Sequence, residues 1–175
     1  MTQLSYQPAF DPYNAVFRLL QLRNGGWFEK AIHYDALRIA DFFLLFPFYL
    51  QDKDNRYKPE HRAIRSVGKK YEAVKPYSRL PDKRTLFRRI EPFQVAAISS
   101  LVNGGFVQAE SWEQHTVKAT ETELPEALST RLQGENSANI ELIKAILKLI
   151  QEYPLTGKDG LKHRTGLLEY RYDVV

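Results

Sequence analysis

The stretch that decides the fold is Glu91–Pro125, EPFQVAAISSLVNGGFVQAESWEQHTVKATETELP. Pro92 sits where a first helical residue tolerates proline, because its missing N–H would be unpaired there. From Phe93 the apolar residues Val95, Ala96, Ile98, Leu101 and Val102 recur at helical spacing, which sets one stripe against a core. Asn103-Gly104-Gly105 accepts a left-handed backbone and ends that helix. The period then changes. Phe106–Glu110 and His115–Thr120 read as two short strands around a polar tip, Ser111-Trp112-Glu113-Gln114. Helix, glycine stop and hairpin in succession outline a winged helix, a shape shared by DNA readers and protein-binding adapters.

Upstream, Asp82 caps a short helix, Lys83–Ile90, with Leu86, Phe87 and Ile90 inward and Lys83, Arg84, Arg88 and Arg89 outward. With the helix from Pro92 it makes a helix-turn-helix pair. The segment before it, broken by prolines, reads as an insertion. Its middle, Pro59–Val74, suits a helix through Ile64, Val67, Tyr71 and Val74 that Gly68 weakens. Asp11 and Pro12 open the first helix, which ends at Asn24-Gly25-Gly26. Ala31–Tyr34 suits a small strand. Asp35 then caps a second helix, Ala36–Leu45, which Pro47 terminates. Phe42, Phe46, Phe48 and Tyr49 spread apolar surface round this region, which is either central core or a face that meets another protein.

Downstream, Glu123-Leu124-Pro125 starts a helix to about Gln133, closed by Gly134. Asn136-Ser137 caps the best-patterned helix, Ala138–Tyr153, striped by Ile140, Ile143, Ile146, Leu147 and Ile150. Leu168, Tyr170, Tyr172 and Val174 alternate with Glu169, Arg171 and Asp173 as a half-buried strand that completes the sheet or is offered to another chain. The expected fold is mainly α with a small β-hairpin. It is one winged-helix-like domain over residues 1–175, with a basic insertion over about 51–81 and a C-terminal helix-plus-strand extension over about 126–175.

Composition narrows the chemistry. The chain has no cysteine, which excludes disulfides, thiolate metal sites and cysteine nucleophiles and suits a reducing cytoplasm. Its opening residues show no basic region followed by an apolar core, and its most apolar run contains Asp41 and Pro47, so neither a signal peptide nor a membrane span is expected. The net charge of +4 hides an asymmetry: Lys53–Arg89 holds thirteen Lys and Arg against four Asp and Glu, so the remainder is acidic. Such a block suits a polyanion or an acidic partner, or is simply a solvated insertion. Its candidates for nucleic-acid contact are Lys69, Lys70, Lys75, Arg79, Lys83, Arg84, Arg88 and Arg89. The helix from Phe93 carries no Arg or Lys, which argues against base readout through it. Gly157-Lys158-Asp159 lacks the earlier glycine and the following hydroxyl of a phosphate loop. The four histidines lie far apart, Glu121 and Glu123 have no third ligand, and Ser99-Ser100 has no nearby base. No catalytic residue, metal or cofactor is expected.

Three segments together resemble the middle components of three-component ABC-ATPase conflict systems, the group that includes Lamassu-type antiphage defence. They are YQPAFDPYNAVFRLL at Tyr6–Leu20, ALRIADFFLLFPF at Ala36–Phe48 and LFRRIEPFQVAAISSLVNGGFV at Leu86–Val107. The resemblance implies a non-catalytic bacterial subunit with a winged-helix core, between an SMC- or Rad50-like ABC ATPase and an effector such as a nuclease, in a complex that senses DNA. The expected function is therefore an adapter, with Phe42, Phe46, Phe48, Tyr49 and the C-terminal strand (Leu168, Tyr170, Tyr172, Val174) as partner contacts. The alternative is a stand-alone winged-helix regulator that binds DNA.

Overall fold

The computed structural model describes residues 8–76 and 80–168. Asp11 accepts the Tyr13 N–H at 2.9 Å and Pro12 fills the first helical position, so α1 runs over Pro12–Asn24. The short strand β1, Ile32–His33, leads directly into α2, Tyr34–Leu45. A 3-10 turn at Pro47–Gln51 then receives α3, Ala63–Lys69, and α4 spans Lys83–Asn103. After it come α5 (Ala109–Glu113), β2 (Thr116–Val117), α6 (Glu126–Ala138), α7 (Ile140–Glu152) and α8 (Leu161–Thr165). The described residues are thus mainly helical with one small antiparallel sheet, in register Ile32↔Val117 and His33↔Thr116. A bridge between Val107 and Ala119 extends that sheet, and the Ala119 N–H donates to Phe28 O at 2.8 Å.

The core lies where α1 packs on α4 and α6, and α2 packs on α7. Leu22, Ile39, Phe42, Phe43, Phe87, Ile90, Leu132 and Ile146 are fully buried there. Each contributes about 1.5–3 kcal/mol relative to an exposed position. Phe42 meets Phe43 and Phe87 edge to face, both at 5.6 Å between ring centres, the offset geometry aromatic quadrupoles favour.

Four local expectations are corrected. The two helices expected on either side of Glu91 are one, α4, with Pro92 inside it. Proline there removes the bond to the Arg88 carbonyl, at a point where both residues lie on the exposed face of the helix and water can reach. The first hairpin strand is cut short, because Ala109–Glu113 forms α5 instead of continuing it and covering the tip. Trp112 packs edge to face on Tyr34 at 5.3 Å, and His115 takes φ 58° to return the chain to β2. The cap of α2 is His33, whose Nδ1 accepts the Asp35 N–H at 3.1 Å; Asp35 pairs instead with Lys162 at 3.0 Å. Finally, α6 passes through Gly134 and the break falls at Asn139, whose amide donates to Glu135 O at 3.0 Å. Buried Asn136, expected as a cap, donates instead to Gln21 O of α1 at 2.9 Å.

A polar chain stitches α1, α2 and α4 through the middle of this core. Arg18 donates to both Asp41 oxygens, and Gln94 donates to Asp41 Oδ2 at 2.8 Å. Arg38 donates to Gln94 Oε1 at 3.1 Å, stands 4.2 Å from the Phe87 ring centre and pairs with Glu91 at 3.3 Å. Arg18, Arg38, Asp41 and Gln94 are all buried. Burying charge is costly without partners, and here each charge has them.

Candidate partner-docking site

The aromatic run expected as either core or partner surface is divided by the fold. Phe42, Phe46 and Phe48 are buried within the chain, at 0%, 8% and 4% exposure, while Tyr49 is half-buried. All three phenylalanines are therefore core side chains in the folded chain. Burial raises the Tyr49 hydroxyl above its ordinary pKa, and the carboxylates of Asp52 and Asp82 add to that. Leu168 is half-buried against the core. Tyr170, Tyr172, Val174 and the strand expected there lie outside the described residues, as does Arg79.

The cations contiguous in sequence separate in space. Lys70 pairs with Glu141 at the start of α7, and Lys75 pairs with Glu72 at 3.9 Å while standing 6.0 Å from the Phe48 ring centre. Lys69, in the same turn as Lys70, is exposed. Lys83 turns inward to Asp52 at 3.3 Å and Asn55 at 2.9 Å. Arg84 donates through Nε to Gly166 O at 2.7 Å, while Arg88 and Arg89 project from α4 into solvent. The block is thus one group against α3 and α7 and another along α4 and the end of α8.

A groove of about 400 Å³ opens beside the first group. Phe48 and Tyr49 form its aromatic side, and Lys53 and Lys75 stand at its edge with Asp52 and Glu72. The two turns that frame it, Pro47–Gln51 and Glu72–Val74, are tied by a hydrogen bond from Gln51 Nε2 to Glu72. Behind them Gly68 lies so close that a Cβ would stand 2.5 Å from Gln51 N. The glycine expected to weaken a helix is what lets α3 approach the turn. Val74 and Ile140 are exposed at 60% and 45%. Tyr71 brings their neighbourhoods together by donating to Asn139 Oδ1 at 3.0 Å. Sequence periodicity assigned both residues to buried stripes. Val74 escapes because α3 ends at Lys69, and Ile140 because it opens α7 at the break no one-turn pattern marks.

A second cleft, of about 580 Å³, is lined by Arg23, Glu29, Glu123 and Glu126 among others. Burial lowers the Arg23 pKa, and its Nη2 donates to Thr120 O at 3.2 Å and to Thr122 O. The pair Glu121 and Glu123 is exposed. His61, Tyr153 and Glu152 form a relay elsewhere. The Lys58 N–H donates to the Tyr153 oxygen at 2.8 Å, the Tyr153 hydroxyl and His61 Nδ1 share a hydrogen bond at 2.9 Å, and His61 Nε2 lies 2.9 Å from a Glu152 carboxylate oxygen. His61 and Tyr153 are buried and mutually satisfied, which makes the relay a structural tie between the Pro59–His61 turn and α7. Among the described residues no group of three or more His, Asp and Glu side chains is placed to hold a metal ion. Nor is any helix among them long and apolar enough to cross a membrane.

These features define a helical protein with a small sheet, a charged core clamp and clefts edged by both signs of charge. The chain belongs to the ABC-three component (ABC-3C) system Middle Component 5 family, whose sequence model matches residues 4–173. No curated protein and no solved structure matches it.

Proposed function

We propose that this middle component is a non-catalytic adapter, a single domain that bridges an SMC-like ABC ATPase and an effector such as a nuclease in a cytoplasmic bacterial defence complex of Lamassu type. The observation that carries the reading is the family match over residues 4–173. A winged-helix ancestry is supported by the order α1, β1, α2, α4 and sheet, with β2 beside β1 and the Val107–Ala119 bridge at its outer side. The helical α5 then stands where the wing would be longest. In this role the subunit restrains or positions the effector and brings DNA to the complex through Arg88 and Arg89. The test is co-expression with the ABC ATPase and effector of its system: one assembly on gel filtration is expected, and a chain that elutes apart from both sinks the reading.

A second reading, a stand-alone DNA-binding regulator, is favoured by the exposed arginines of α4. It requires tight duplex binding by the isolated chain, weakening by about 0.9 log unit per log unit of salt for each phosphate neutralised. Reversal of Arg84, Arg88 and Arg89 should abolish that binding; binding that survives the change means that the basic block is not the site, and an isolated chain that binds no duplex rules the reading out.

A further inference from the structure

We infer that Arg56 joins Arg84 and Arg88 in one arginine cluster at the end of α8, and that this cluster grips the phosphate backbone of duplex DNA without reading its sequence. The inference rests on the part of the proposed function that brings DNA to α4, and it names the surface and the mode of contact. The gathering has a local cause, since a helix ends in carbonyls that lack intrahelical donors. At the end of α8 the Arg56 N–H donates to Arg164 O at 2.9 Å, and Arg84 donates through Nε to Gly166 O at 2.7 Å. Two segments far apart in sequence thus meet carbonyls two residues apart. Arg164 secures the first of them by donating through Nη1 to Arg56 O at 2.6 Å. Its own charge is taken by Asp159 at 2.9 Å, so Arg164 positions Arg56 and is not itself offered to a ligand. Arg88 stands one turn beyond Arg84 on the same face of α4.

The cluster exceeds its acids. Arg56, Arg84 and Arg88 are exposed, and none of them is paired with a carboxylate among the described residues. Asp82, the acid at the head of α4, is committed to its cap and accepts the Thr85 N–H at 3.0 Å. Around Arg56, Asp54 and Glu60 are matched by Lys53 and Lys58. Like charges at a spacing of four on a helix repel, and an anion between Arg84 and Arg88 relieves that repulsion.

The chemistry of the surface favours a phosphodiester over a protein. The centre of a protein interface is apolar, and the exposed large hydrophobic residues among those described, Tyr13, Val74 and Ile140, belong to neither α4 nor α8. Phosphate contact needs only cations with free N–H donors, and the guanidinium fork matches phosphate oxygens. The mode follows from the rest of the helix. Beyond Arg88 the exposed line of α4 continues through Pro92, Ala96 and Ser100. No side chain on that line is long enough to reach a base edge, so α4 rests against the backbone and reads no groove.

The experiment titrates the full chain with labelled duplexes of two unrelated sequences and repeats the work on its complex with the ABC ATPase and effector of its system. The parent chain is expected to bind both duplexes within about twofold. Its affinity should fall by about 2.7 log units per log unit of salt, about 0.9 for each of three phosphates. R56E/R88E should bind at least tenfold more weakly with its melt unchanged. K144E/K148E reverses as much charge at exposed positions of α7 and should bind within about twofold of the parent. R56E/R88E that binds like the parent overturns the inference, as does an equal loss in K144E/K148E, which would make net charge the cause. A parent chain that binds no duplex, or that prefers one sequence by tenfold, overturns it too. If charge reversal lowers the melt, R56Q/R88Q takes its place. Arginine footprinting with phenylglyoxal on the parent complex gives a readout that no variant's folding affects. Duplex should shield Arg56, Arg84 and Arg88 and leave exposed Arg62 reactive; no shielding overturns the site while the adapter reading stands. A variant that keeps duplex but loses the ATPase or effector assigns the cluster to an acidic protein instead. A chain that elutes apart from both components sinks the adapter reading, and titration of the chain alone still decides this one.

Discussion

Arg18 holds Asp41 through two parallel hydrogen bonds, Nε to Oδ1 at 2.7 Å and Nη2 to Oδ2 at 3.0 Å, with both side chains withdrawn from water. The pair joins α1 to α2 across 23 residues of sequence and is extended by Gln94 into α4. Removing one partner leaves an uncompensated buried charge, which costs about 3–5 kcal/mol. Asp41→Ala is therefore expected to lower the melting temperature by roughly 10 °C, since about 2–4 °C follows each kcal/mol in a chain of this size. The double variant R18M/D41L should melt above D41L alone. A double variant less stable than the single one would show that the pair is not the unit that matters.

Gly68 and Gly134 both lie in helices, yet opposite results are expected from Gly→Ala. Nothing stands within 4 Å of a Cβ at Gly134, so G134A should gain roughly 0.5–1 kcal/mol by losing glycine's excess backbone entropy. At Gly68 the added carbon meets Gln51 N at 2.5 Å, and backbone has nowhere to yield cheaply. G68A should destabilise the chain. Denaturant midpoints of the two variants, measured side by side, check the pair.

Burial raises the pKa of the Tyr57 hydroxyl, which donates to Leu50 O at 2.9 Å and accepts from Asn55 Nδ2 at 2.9 Å. Because the folded value stands above the unfolded one, its stabilising effect is complete below about pH 10 and is lost as pH rises towards the folded value. Stability should thus fall on the alkaline side, more steeply in the parent chain than in Y57F. Parallel alkaline melts of the two would refute this expectation.

Separation of the two cationic groups makes a further forecast. If α4 carries any contact to DNA in the assembled complex, R88E/R89E should weaken that contact at least tenfold and K69E/K70E by less than about threefold. Duplex anisotropy with the whole complex measures both. Equal losses would mean that the two groups act as one surface.

The helices were legible wherever period and punctuation agreed. Asp11-Pro12 and Asn24-Gly25 bound α1 closely, because a cap and a stop are local chemistry. The same signals misled where the environment outweighed them. Pro92 announces a helix start, but on an exposed face the lost bond is cheap, so α4 continues. Gly134 announces an end, but the tie from Asn136 to Gln21 lies beyond it and keeps the chain helical. The aromatic run shows how far the candidate site could be read. Its hydrophobicity was plain, but which rings face inward depends on how α2 meets α4 and the Pro47–Gln51 turn. That is why Phe42, Phe46 and Phe48 are buried while Tyr49 stays half-open at the groove. The joining of Val74 with Ile140 depends on a hydrogen bond across 68 residues, from Tyr71 to Asn139, and no sequence pattern reports that.

Because Phe42, Phe43 and Phe87 find their neighbours inside one polypeptide, this subunit is expected to mature unaided. Assembly then becomes a meeting of finished parts, with no obligate co-translational pairing. A cell can in that case hold a reserve of the folded chain, ready before anything it meets is made.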